Sequence, residues 1–144
     1  MGWLDKLRNK GKAAASRIEN KDLMEAIVGG CLLIAAADGE IEPEEIENLN
    51  KQIAANPSLA HFGSDITAAM RRFDGMLDAG YRIGKVNILR EIEDVKSNPK
   101  EAEDVLMAML TVAESDGEIE PEELTVLKEV ATRLGLRLSD YGIE

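Results

Sequence analysis

Cysteine, histidine, aromatic residues and long apolar runs are all scarce in this chain, and each scarcity removes a class of explanation. Cys31 is the one cysteine of 144 residues, so an internal disulfide is excluded and the chain suits a reducing compartment. His61 is the one histidine. With one imidazole and one thiol, far apart in sequence, a zinc or copper site built on nitrogen and sulfur has no ligand set. Aromatic residues make up 3% of the chain, too few for the aromatic and β-branched strands of an all-β fold. No apolar run approaches the ~20 residues of a membrane span, and the N-terminus lacks a signal-peptide core. The expectation is a cytoplasmic protein. Gly2 is followed by Lys6 where a myristoylation signal wants Ser or Thr, so lipidation there is rejected.

What the chain has in excess is negative charge, unevenly spread. The net charge is −11, yet residues 1–21 carry six basic and two acidic side chains. A basic arm therefore precedes a strongly acidic body, and such a body repels nucleic-acid phosphates, so nucleic acid is excluded as a partner. Residues 1–20 read as a basic amphipathic arm, and 21–144 as one all-helical domain. In the arm, Trp3, Leu4 and Leu7 alternate with Lys6, Arg8, Lys10 and Lys12. Trp3 with these four basic residues could rest on an anionic membrane surface, a peripheral contact. The alternative is an arm that frays or docks on its own body. The second is preferred, because the amphipathic stretch is short and Gly11 interrupts it.

The octapeptide DGEIEPEE occurs at residues 38–45 and again at 116–123. The likeness extends outward without a gap: residues 31–54 align on residues 109–132, an offset of 78. A duplicated helix-turn-helix unit, about 23–55 and 101–134, accounts for this, and two copies are too few for a solenoid. The fold class expected is all-α, a pseudo-symmetric bundle of six to eight helices. Apolar residues recur at helical spacing at Leu23, Ile27, Cys31 and Ile34, with a second stripe beside them, which makes that helix central. The spacing also predicts helices over about 64–78 and 84–96, and Asn98-Pro99 opens the next. Gly135 reads as a helix C′ residue with Leu136 as its apolar partner.

The repeated turn admits two readings. As a connector, Gly39 and Gly117 end one helix in the left-handed region, Pro43 and Pro121 open the next, and the glutamates after them sit at its positive end. As a cation site, Asp38 would gather with Glu42 or Glu45, and Asp116 with Glu120 or Glu123. Only hard cations (Ca2+, Mn2+ or Mg2+) suit such oxygen-only donors. Against an EF-hand loop the turn supplies the second half but lacks the acidic ligands of the first. The connector reading is preferred. The stretch GYRIGKV at 80–86 is dismissed as a phosphate loop, having one residue too few between its glycines and Val86 in place of the hydroxyl.

IAAADGEIEPEE, the Ile83–Lys85 IGK, NPKEA from Asn98, VAESDGEIEPEE and the tail LGLRLSDYGIE resemble the TerB-like tellurite-resistance proteins from Asn20 onward. The resemblance implies an all-helical, internally pseudo-symmetric, non-enzymatic stress protein of the bacterial cytoplasm. It also implies partners among membrane-associated tellurite-resistance proteins and calcium-binding relatives, and it carries the family's acidic cluster onto Asp38, Glu45, Asp116 and Glu123. A metal-dependent hydrolase using the paired carboxylates is the competing function, and it requires the two clusters to converge to within ~4 Å, metal to metal.

Overall fold

The computed structural model describes residues 20–115 and 117–143, and the arm residues Trp3, Lys6, Arg8, Lys10 and Lys12, together with Asp116, lie outside that range. Among the described residues six α-helices follow one another: α1 (Lys21–Ala35), α2 (Pro43–Ala54), α3 (Ser64–Ala79), α4 (Tyr81–Ile92), α5 (Pro99–Ala113) and α6 (Pro121–Leu134). Short 3-10 turns cover Ala60–Phe62, Glu93–Val95 and Leu138–Tyr141, and no strand forms among the described residues.

α1 is apolar around almost its whole circumference, as a helix enclosed by others must be. Every residue from Ala26 to Ile34 is buried, and α1 touches all five other helices. Its two adjacent glycines set how closely the neighbours approach. A Cβ on Gly29 would stand 2.9 Å from Ile88 Cγ2 of α4, and one on Gly30 would stand 2.7 Å from Met109 Sδ of α5. Phe73 of α3 fills the space beside Gly29 and is fully buried, which is worth about 1.5–3 kcal/mol over leaving it in water.

The outer helices are amphipathic. α2 buries only Leu49 and Ile53 fully, the narrow face that its Ile46, Leu49 and Ile53 spacing predicts. Ion pairs then tie the helices together at the surface. Arg72 of α3 bonds Glu91 of α4 at 2.6 Å and approaches Glu25 of α1 at 3.5 Å. Lys85 of α4 meets Glu129 of α6 at 2.7 Å, and Arg133 of α6 reaches Glu93 at 2.9 Å. Such pairs, partly wet, contribute roughly 0.2–1 kcal/mol each.

α1 and α5 run parallel. Their starts touch, Asn20 Nδ2 donating to both carboxylate oxygens of Glu101 at 3.2 and 3.0 Å, and two to three turns on, Gly30 faces Met109. The 78-residue offset recurs in the local geometry. Asn20 and Asn98 each cap a helix with the side-chain oxygen, Asn20 from Asp22 N–H and Asn98 from Lys100 and Glu101 N–H. Gly39 and Gly117 both hold positive φ, 92° and 108°.

One helix starts earlier than its periodicity predicts. α4 begins at Tyr81, not near Gly84, and gives way to a 3-10 turn at Glu93–Val95. Its first turn does not continue the apolar stripe: Tyr81 is half-buried against the core, but Ile83 is 71% exposed. Gly80 alone separates α3 from α4, accepting the Gly84 N–H at 2.8 Å. At the other end of the chain Gly135 takes the left-handed conformation, φ 75°. Leu136 N–H returns to Ala131 C=O at 2.8 Å, the expected C-terminal cap. The tail is then pinned by Tyr141, whose hydroxyl donates to Glu103 at 2.8 Å.

Candidate functional site: the acidic helix junctions

Each DGEIEPEE segment folds as the junction between two helices. After α1, Gly39 N–H returns to Ala36 C=O at 2.9 Å, and after α5, Gly117 N–H returns to Glu114 C=O at 3.0 Å. Asp38 stands just past the negative end of α1, where a carboxylate is disfavoured. Its Oδ1 accepts the Glu40 N–H at 3.0 Å, which offsets part of that repulsion locally.

The second half of each junction starts a helix. Pro43 and Pro121 occupy the first helical position. Two residues on, Glu45 Oε1 accepts the Glu42 N–H at 2.8 Å, and Glu123 Oε1 accepts the Glu120 N–H at 2.9 Å. This is the reach-back bond of a capping box, and it places a negative charge at the positive end of each helix. Of the six residues in the cation reading, Glu45 and Glu123 thus face their own helix starts, and Asp38 faces its own turn. Glu42 and Glu120 are the capped N-terminal residues, and Asp116 lies outside the described residues. Among the described residues no group of three or more His, Cys, Asp or Glu side chains is placed to hold a metal ion.

The first junction borders a polar cavity of about 390 Å³. Glu40 and Glu42 line it from the junction, and Asp74, Asp78 and Tyr81 line it from the α3–α4 corner. No described residue of the second junction lines it. Asp74 and Asp78 escape the sequence reading because α3 declares itself by its apolar stripe. The available signal is their i, i+4 spacing at the negative end of that helix.

The remaining chemical candidates resolve into structure. Cys31 is 2% exposed, and burial pushes its thiol up to about 12, so it is protonated and unreactive at neutral pH. His61 is exposed in a 3-10 turn and lies against Phe62, ring centroids 4.4 Å apart. GYRIGKV forms the start of α4, with Gly84 buried against the Met76 carbonyl, so it offers no loop to cradle a phosphate. No described helix is long and apolar enough to cross a membrane.

No curated protein and no solved structure matches the chain. A family model described as tellurite resistance protein TerB matches residues 24–143, from the first turn of α1 to the pinned tail. That span takes in both acidic junctions and all six helices, and the chain belongs to the TerB tellurite-resistance family.

Proposed function

We propose that the chain is a non-enzymatic component of tellurite resistance that presents its acidic junctions to a membrane-associated partner on the cytoplasmic side. One observation carries this reading. Asp38, Glu40, Glu42, Glu44 and Glu45 of the first junction and Glu118, Glu120 and Glu122 of the second are all exposed. None of them forms an ion pair among the described residues. Arg72, Lys85 and Arg133 pair elsewhere, between helices, and Lys100 and Arg137 pair with near neighbours in sequence. Exposed charge of one sign at two corners raises the local concentration of a basic partner and speeds its association.

The reading needs no bound cation. Ca2+, Mn2+ or Mg2+ enters as a separately measured ligand, since exposed carboxylates at a turn are the hard oxygen donors these ions accept. Calorimetric titration of the three ions into wild type and Asp38→Asn tests that clause, and equal, negligible heats remove it.

The docking clause is tested with Glu40→Gln, Glu44→Gln, Glu118→Gln and Glu122→Gln combined, which leaves the Glu45 and Glu123 caps intact. Wild type is expected to co-sediment with membrane vesicles carrying tellurite-resistance membrane proteins, and to release as salt is raised. The quadruple variant should lose the interaction and the protection against tellurite while keeping its Tm. Full protection by the variant refutes the proposal.

A further inference from the structure

A second cavity, about 450 Å³ and mainly apolar, opens between α1, the end of α2 and α5. Ile27, Cys31, Ile53, Ala108 and Val112 form its walls. Thr111 and Ser115, both exposed, form its lip. Met107, 40% exposed, lies one turn before Thr111 and extends the apolar strip along α5. An apolar cleft left open to water favours an apolar occupant.

Reach and charge both point to the chain's own first nineteen residues. They join the body at Asn20, which touches Glu101 at the start of α5. From Glu101 the far lip at Ser115 is fourteen residues along the helix, roughly 21 Å. Trp3 and Leu7 precede Asn20 by seventeen and thirteen residues. Even at helical rise these separations reach about 26 and 20 Å. A segment turning back at Asn20 therefore has the reach to bring its apolar residues as far as the distant lip of the cleft. Residues 1–19 hold five basic and two acidic side chains, whereas the rest of the chain holds twelve and twenty-six. The body attracts the arm, and the arm's Trp3, Leu4 and Leu7 match an apolar cleft.

We propose that the Trp3–Leu7 segment docks in the cleft between α1, α2 and α5 of its own chain. The contact is independent of the acidic-junction reading, since the cleft and the junctions share no lining residue. It leaves the basic arm held against the body instead of free for other surfaces.

Trp3 is the one tryptophan of the chain, so its fluorescence reports the arm alone. In the full-length protein its emission is expected to be blue-shifted, with acrylamide quenching several-fold weaker than for free indole. Thr111→Lys puts a cation on the lip of the cleft and should raise quenching towards the free value with the helical circular dichroism unchanged. Leu4→Ser with Leu7→Ser alters only the arm and should do the same, so a folding defect in the first variant leaves the test intact. Quenching of wild type at the free-indole rate overturns the proposal, as does protection that neither variant relieves. Protection lost on dilution places the arm in a second copy and overturns the intramolecular contact. A blue shift that arises only with phosphatidylglycerol vesicles assigns the arm to a membrane surface and overturns it as well.

Discussion

Gly84 of α4 rests on the main chain of α3 so closely that a Cβ at this position would overlap the Met76 carbonyl oxygen and stand 2.7 Å from Leu77 N. Backbone cannot swing aside as a side chain does. The corner between α3 and α4 is one residue long, at Gly80, and this contact is what lets the two helices fold so tightly together.

Gly84→Ala should therefore destabilise the fold by about 1–3 kcal/mol, because the clash outweighs the ~1 kcal/mol that alanine gains in helix propensity. Urea unfolding measures it. An unchanged or raised midpoint would show that α4 has room to move off α3.

Glu45 separates cap from charge. Glu45→Ala removes the oxygen that takes the Glu42 N–H and should cost about 1 kcal/mol, whereas Glu45→Gln keeps an acceptor and should cost much less. Thermal unfolding of the pair decides. Equal losses would mean that charge at the positive end of α2, not the hydrogen bond, is what the residue contributes.

Cys31 should resist alkylation. With its thiol pushed up to about 12 by burial and almost no exposed surface, the native protein should react with iodoacetamide at pH 8 orders of magnitude more slowly than protein unfolded in urea. Rapid native labelling would show that the cleft beside Cys31 opens to solvent.

Asp104 makes stability depend on pH. Burial raises its carboxyl above the ordinary range, only partly countered by the Lys100 ammonium at 3.2 Å. A carboxyl raised in the fold stabilises it most when protonated. The contribution is complete below the unfolded value of about 3.9 and is lost as pH rises through the folded value. Asp104→Asn should therefore raise Tm at neutral pH, with the gain vanishing below about pH 3.9. A lower Tm at neutral pH would mean that the Lys100 pair outweighs the burial.

Much of the fold is legible along the chain because helices are coded locally. Pro43, Pro99 and Pro121 each open a helix, Gly135 closes one, and the apolar stripe Leu23, Ile27, Cys31 and Ile34 names buried residues of α1 in advance. The start of α4 is not legible, since Arg82 and Ile83 are exposed and the close contact of Gly84 with the backbone of α3 leaves no periodic mark in the sequence. The acidic junctions are legible as a repeated motif, but the role of each glutamate is not. Glu45 and Glu123 are turned onto helix starts by the geometry of the cap, and Asp74 and Asp78 come to the first junction from a separate helix.

Composition and spacing by themselves determined an all-helical chain with two acid-rich junctions, because helix propensity, caps and 3.6-residue periodicity act over a few neighbouring residues. Only the tertiary structure decided that α1 lies enclosed with its glycines against Ile88 and Met109, that Arg72, Lys85 and Arg133 pair between helices, and that an apolar cleft remains beside α5. Those outcomes depend on which side chains meet across gaps of many tens of residues, and that is a matter of packing.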